Sequence, residues 1–279
     1  MLGRRARPIA TIVLVALVCL PPPATADEGG YATRLGSDGR YLANNLVEDV
    51  QDIVTAPLHP GELGAALKRP AVAYSLLGAA VLLGGAFALD QTLRSRARDM
   101  SPTAALDLES AGTAFVASGT ALLYVYGLSD GDRRAREHAI TGGEGAGIAS
   151  LFTLVLKYGF GRQRPDAGKG AFHFFSGGQS FVSGEATPGF ALAAAVSEYF
   201  DNAWWAAVPA YTGALSVGVG RMGHDAHWFS DVVGSAIVGV GTTELLIHLH
   251  AEHANDPTRF RLFPEVGDRS AGLELAYAW

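Results

Sequence analysis

The chain has 279 residues, 49% of them hydrophobic and 17% charged, with a formal net charge of −6. That length supports one sizeable domain with a real core, or two small ones. The acidic balance, with no basic stripe interleaved with aromatics, argues against a nucleic-acid partner.

In chain order, the first segment reads as an export signal. "MLGRRARP" is a basic n-region with Arg4, Arg5 and Arg7, "IATIVLVALVCL" is an apolar h-region, and Ala24-Thr25-Ala26 is an A-x-A cleavage pattern. The alternative is an uncleaved anchor helix. The single cysteine, Cys19, lies inside this signal, so the mature chain is expected to hold no disulfide, no thiol chemistry and no cysteine-based zinc site. Residues 27–69 are mixed polar, and "YLANNLVEDVQDIVTAPLHP" predicts one amphipathic helix closed by Pro57 and Pro60.

From residue 71 the texture changes. Apolar runs at 71–89, 111–128, 145–160, 188–200, 207–220 and 232–250 carry few charges and many Gly, Ala and Ser, which allow close helix contacts. The expected fold is all-α: a bundle of about six core helices spanning 70–252, associated with a membrane. The tail, 253–279, alternates in polarity and contains turn residues, which predicts a short β-hairpin.

Two of the runs, 71–89 and 111–128, approach the roughly 20 residues needed for a span, while 188–200 is short. The charges conflict with a simple count of spans. Arg94, Arg96 and Arg98 fall in one predicted loop and Arg133, Arg134 and Arg136 in the next. Both cannot be cytoplasmic if the helix between them crosses once.

Three polar islands interrupt the apolar helices. "KYGFGRQRP" holds Lys157, Arg162, Arg164 and Pro165; "SFVSGEATPG" holds Ser180, Ser183, Gly184 and Glu185; "GRMGHDAHWFSD" holds Arg221, His224, His227 and Asp231. Lys157 and Arg164 suit a phosphate, one as a point charge and the other as a planar fork of donors. Ser183-Gly184 before a helix offers a hydroxyl and amides at the positive end of the helix dipole. Asp231, four residues after His227, is expected to share a helix face with it and accept its Nδ1–H, leaving Nε2 as nucleophile or base. Each island alone has a plainer reading: interfacial cations, a helix cap, a structural pair. His224, His227 and Asp231 could also ligate a metal, but an ion would sit awkwardly among three cations, so no metal is expected there.

Together and in this order, the islands resemble the type-2 phosphatidic acid phosphatase superfamily, which also includes bacterial nonspecific acid phosphatases and vanadium haloperoxidases. Its signature is K-x6-R-P, then P-S-G-H, then S-R-x5-H-x3-D. Lys157, Arg164 and Pro165 match the first element, and Arg221, His227 and Asp231 match the third, with Gly220 replacing the serine. The middle element departs, reading Val182-Ser183-Gly184-Glu185. The resemblance implies a metal-independent phosphatase without a cofactor. His227 would be the nucleophile that forms a phosphohistidine and Asp231 its partner. Lys157, Arg164, Ser183, Gly184 and Arg221 would hold the phosphoryl oxygens.

Glu185 stands where the family places its general acid. Near three cations it should be ionised and hence a poor proton donor. The consequences are a leaving group that needs little protonation, such as a diphosphate, or Glu185 acting as base toward water with His224 as auxiliary acid. The implied substrate is a lipid-linked phosphate or diphosphate, met in the envelope at the inner membrane or in the periplasm. The alternatives are a soluble periplasmic acid phosphatase and a catalytically impaired phosphate-binding envelope protein.

Overall fold

The computed structural model describes residues 30–55, 60–255, 260–267 and 270–277. The expected export signal and Cys19 lie outside the described residues. The helices are α1 (Tyr31–Thr55), α2 (Pro60–Leu67), α3 (Pro70–Ala97), α4 (Pro102–Asp130), α5 (Arg133–Phe160), α6 (Ala186–Tyr199), α7 (Trp204–Gly223) and α8 (Phe229–Asn255). An antiparallel hairpin follows, β1 (Phe260–Gly267) with β2 (Ser270–Tyr277). The six apolar runs correspond to α3 through α8, so the all-α bundle and its C-terminal hairpin are both present. Pro60 does not close the amphipathic helix. It opens α2, as a missing N–H costs nothing in a first turn.

Local chemistry sets the boundaries. Ser101 caps α4 by accepting the Ala104 amide at 3.2 Å, with Pro102 in the first turn. Asp132 caps α5 through the Ala135 amide at 3.1 Å. Gly161 ends α5 at φ 50, a left-handed conformation that only glycine adopts cheaply, and turns the chain toward the site.

The short apolar segment 188–200 falls on α6, which has 14 residues and is about 21 Å long at 1.5 Å per residue. It is the central helix, packed against α4, α5, α7 and α8. Its apolarity serves the core rather than a span: Ala186, Phe190, Ala191, Ala193, Ala194 and Ala195 are all buried. Val116, Phe190, Ala193, Ala214, Val217 and Val232 form the main apolar cluster around it.

Four helices, α3, α4, α5 and α8, are long and apolar enough to cross a membrane. Within the most apolar stretch of α3 only 6% of residues are buried. Tyr74, Leu77, Val81 and Leu82 on α3, Leu151, Val155 and Tyr158 on α5 and Trp204 on α7 are exposed. A belt this wide is far larger than the scattered apolar residues of a soluble surface and fits hydrocarbon.

The arginine conflict has a structural cause. Arg94 forms a bidentate pair with Asp225 at 2.7 and 2.6 Å. Arg136 is fully buried against Asp38, and Arg134 pairs with Asp201 at 2.5 Å. Arg94, Arg134 and Arg136 are thus structural partners rather than loop charges, whereas Arg96, Arg98 and Arg133 are exposed. The connection 98–101 lies at the site end and the 200–203 turn at the other end of the bundle. Reporter fusions at Asp99 and at Asn202 should therefore report opposite sides of the membrane. The same side for both would contradict the bundle's orientation as a spanning unit.

Candidate active site

The chain ends of five helices converge: the last turns of α3, α5 and α7 meet the first turns of α6 and α8. The three islands come together there. Lys157, in the last turn of α5, donates to the Gln179 carbonyl at 3.0 Å. A Cβ added to Gly184 would lie 3.7 Å from Lys157 Cε, so the first and second islands abut. Arg164, half-buried, precedes a single 3-10 turn, Pro165–Ala167, and stands near enough to Lys157 for their charges to repel. Ser183 is buried, and its amide donates to Ser235 Oγ at 2.9 Å. Arg221, in the last turn of α7, reaches Glu185 Oε1 at 3.2 Å.

His227 is not on a helix with Asp231. It sits in the connection before α8, and Asp231 occupies the helix's first turn. Its Nδ1 lies 2.8 Å from the Ser180 carbonyl and 3.6 Å from Asp231 Oδ2. The expected direct bond to Asp231 is thus replaced by one to Ser180. A carbonyl can only accept, so Nδ1 must carry the proton, and the lone pair of the neutral ring is on Nε2. Nε2 is buried and has no hydrogen-bond partner among the described residues; the nearest carboxylate oxygen, Glu185 Oε2, is 3.5 Å away.

Asp231 acts on the ring through Ser180. Oδ2 accepts from Ser180 Oγ at 2.5 Å and from the Trp228 amide at 2.8 Å, an N-terminal cap on α8. Oδ1 accepts from Arg162 at 2.5 Å. Arg162 in turn bonds Asp90 Oδ2 at 2.6 Å and Ser230 Oγ at 2.7 Å, while Asp90 Oδ1 accepts the Ser230 amide at 2.8 Å. The guanidinium packs over the Phe87, Phe174 and Trp228 rings at 4.9 to 5.5 Å. Asp90, Arg162 and Asp231 are all fully buried. This network fixes the start of α8, and with it His227.

Sequence reasoning missed Asp90, Ser230 and Glu109 and gave Ser180 and Arg162 no role. Asp90 carried a signal: a lone carboxylate near the end of an apolar helix is expensive unless paired. Glu109 lies 3.6 Å from Arg221 and 3.7 Å from His224 Nε2. His224 therefore faces Glu109 rather than Glu185 or His227.

Glu109 also accounts for Gly220, which replaces the serine of the third motif. A Cβ there would fall 2.6 Å from the Ala105 carbonyl oxygen and 2.7 Å from Glu109 Cβ. The missing side chain lets α4 press onto α7 and brings Glu109 to Arg221. Gly220→Ser should cost about 1–3 kcal/mol through overpacking, read as a lower unfolding midpoint in detergent. An unchanged midpoint would contradict the close approach.

The carboxyl of Glu185 is held down at about 2 by the His227 ring and the Arg221 charge, against the upward push of partial burial. Since the folded value lies below the usual 4.5, its stabilisation is full above 4.5 and is lost as pH falls toward 2. Wild type should lose stability relative to Glu185→Gln across that window and run parallel to it above pH 5. Parallel curves throughout would mean that these neighbours do not act on Glu185.

Residues 143–254 match the PAP2 superfamily, and this segment contains all three islands. Over 105 residues the chain is 34% identical to lipid A 1-phosphatase of Porphyromonas gingivalis, covering 37% of this chain and 22% of that relative. The chain thus spans about a fifth of the length of the curated relative it matches. No solved structure matches it.

Proposed function

We propose that the chain is an exported inner-membrane phosphatase that hydrolyses a lipid-linked phosphate or diphosphate ester through a phosphohistidine at His227. The observation that carries this reading is the buried, unbonded Nε2 of His227, its lone pair set by the Ser180 carbonyl and directed toward the Glu185 carboxylate that Arg221 holds.

In the first step Nε2 attacks phosphorus, the P–N bond forms, and the P–O bond to the leaving group breaks. Lys157, Arg164, Arg221, the Ser183 hydroxyl and the Gly184 amide carry the charge on the phosphoryl oxygens. Asp231, through Ser180 and across 3.6 Å, stabilises the positive ring. In the second step water attacks phosphorus, the P–N bond breaks, and Glu185 accepts a proton from the water. No metal ion enters either step. These side chains supply the positive charge, and Asp231 is already committed to Arg162.

An ionised Glu185 gives the leaving group no proton, which favours substrates whose leaving group departs as a stable anion. A diphosphate, releasing phosphate or a phosphomonoester, fits. The Glu185 carboxylate also rests on Arg221 and His227 where phosphoryl oxygens would go, so substrate must displace it; its 43% exposure leaves room to swing out. That contact is also what a phosphate-binding protein without turnover would show. The exposed apolar belt disfavours the soluble acid phosphatase reading. An open groove of about 300 Å³ between α5 and α8 suits an acyl chain. It is lined by Phe152, Val155, Leu156, Ile237, Val238 and Leu245. The N-terminal export pattern and a lipid A 1-phosphatase relative support an envelope location.

The test is phosphate release by detergent-purified protein on p-nitrophenyl phosphate, phosphatidate, undecaprenyl diphosphate and lipid A. Turnover on a lipid substrate is expected. Glu185→His should speed hydrolysis of simple alkyl phosphates by about 10²-fold, since general acids contribute roughly 10²–10⁴. Unchanged alkyl rates would remove the leaving-group explanation. Vanadate binding without turnover on any substrate would establish the non-catalytic reading.

A further inference from the structure

At the other end of the bundle from His227, Asp49 on α1, Glu144 on α5 and His250 on α8 place a ligand atom each within 4.8 Å of one another. We propose that this cluster binds one divalent transition-metal ion, Zn²⁺ or Mn²⁺, which ties the N-terminal helix to the bundle.

The side chains of Asp49 and Glu144 are fully buried, and that of His250 is 6% exposed. Asp49 Oδ1 and both carboxylate oxygens of Glu144 have no hydrogen-bond partner among the described residues. Unbonded carboxylate oxygens in a dry interior cost several kcal/mol unless a cation or proton meets them. His250 Nε2 lies 2.7 Å from Asp49 Oδ2 and 3.6 Å from Glu144 Oε2, so the imidazole and both carboxylates face one point.

The charges point to a dication. Two carboxylates against a protonated histidine leave one negative charge over, whereas a neutral imidazole and a divalent ion balance them. The outer contacts fit as well. Nδ1 of His250 has the Tyr41 hydroxyl at 2.9 Å and the Thr141 hydroxyl at 3.2 Å. A ligating histidine normally donates its other N–H to such a partner, which fixes Nε2 toward the metal. One imidazole with two carboxylates is a donor set for zinc or manganese rather than for calcium or magnesium, which take oxygen alone.

The ligands explain the placement of α1. Other ties to the bundle include polar ones: Asp38 pairs with Arg136 and accepts from Tyr124, and Arg34 donates to the Leu128 carbonyl. An ion held by Asp49, Glu144 and His250 would add a cross-link far stronger than these.

The full chain, with any affinity tag removed, is stripped with a chelator and reloaded with Zn²⁺ or Mn²⁺. After desalting, the ion is counted by mass spectrometry. One ion per chain is expected in wild type, less than a tenth of that in Glu144→Gln and Asp49→Asn, and full loading in Glu185→Gln and His224→Ala. Loading should raise the unfolding midpoint of wild type by roughly 5–10 °C at a hundredfold excess over Kd. That wild-type measurement stands even if a variant fails to fold. No retained ion and no shift in wild type would overturn the proposal and leave a proton shared by Asp49 and Glu144. Retention in Glu144→Gln, or loss in Glu185→Gln, would overturn it by placing the ion elsewhere. Neither readout depends on phosphate release.

Discussion

His227→Ala should lower phosphate release by about 10⁴-fold or more, while the protein stays folded and binds vanadate. A covalent nucleophile cannot be partly replaced: without it the reaction falls back on positioning and charge stabilisation alone. The substitution removes a side chain whose Nε2 has no hydrogen bond to lose; the one from Nδ1 to the Ser180 carbonyl disappears, together with the longer contacts to Glu185 and Asp231. The fold should tolerate that at a cost of about 1–3 kcal/mol, the price of an unsatisfied buried carbonyl. The rate is measured on the preferred lipid substrate, and the intermediate is sought as an acid-labile, base-stable phosphoryl group on the protein. Release above a hundredth of the wild-type rate, or a labelled protein that still forms in His227→Ala, would remove His227 from the nucleophile's role.

Arg162→Met should destabilise the protein by about 3–5 kcal/mol, the typical effect of stripping one partner from a buried ion pair. Asp90 and Asp231 would be left facing each other, fully buried and without their common cation. The ring packing with Phe87, Phe174 and Trp228 survives in part with methionine, so the loss reports charge more than volume. Activity should fall as well, because Asp231 holds Ser180 and the start of α8, and through them His227. Denaturant unfolding in detergent measures the stability change. A loss under about 1 kcal/mol would mean that the network does not carry the site. The contrast with Arg164→Met is informative: Arg164 is half-buried and outside the triad, so its loss should weaken phosphate binding and leave the unfolding midpoint within a degree or two.

Much of the molecule could be read from the chain alone. Apolar runs rich in glycine and alanine can bury themselves only as closely packed helices, and all six are there. The spacings Lys157 to Arg164 and Arg221 to His227 to Asp231 located the polar end of the bundle, because each motif sits at a helix terminus where unpaired amides and charges collect. The tertiary structure decided the rest. Sequence distance suggested that Asp231 holds His227 directly, yet the helix begins only between them, and Ser180, 47 residues earlier, takes that place. Arg162 and Arg164 look alike in "GRQRP", but only contact with Asp90, 72 residues away, makes the first a buried strut. Glu109 at Arg221, and Asp49 with Glu144 and His250, are likewise products of packing between distant helices. Periodicity and spacing record what a segment does by itself; the partner of a buried charge is chosen by whichever other helix removes the water around it.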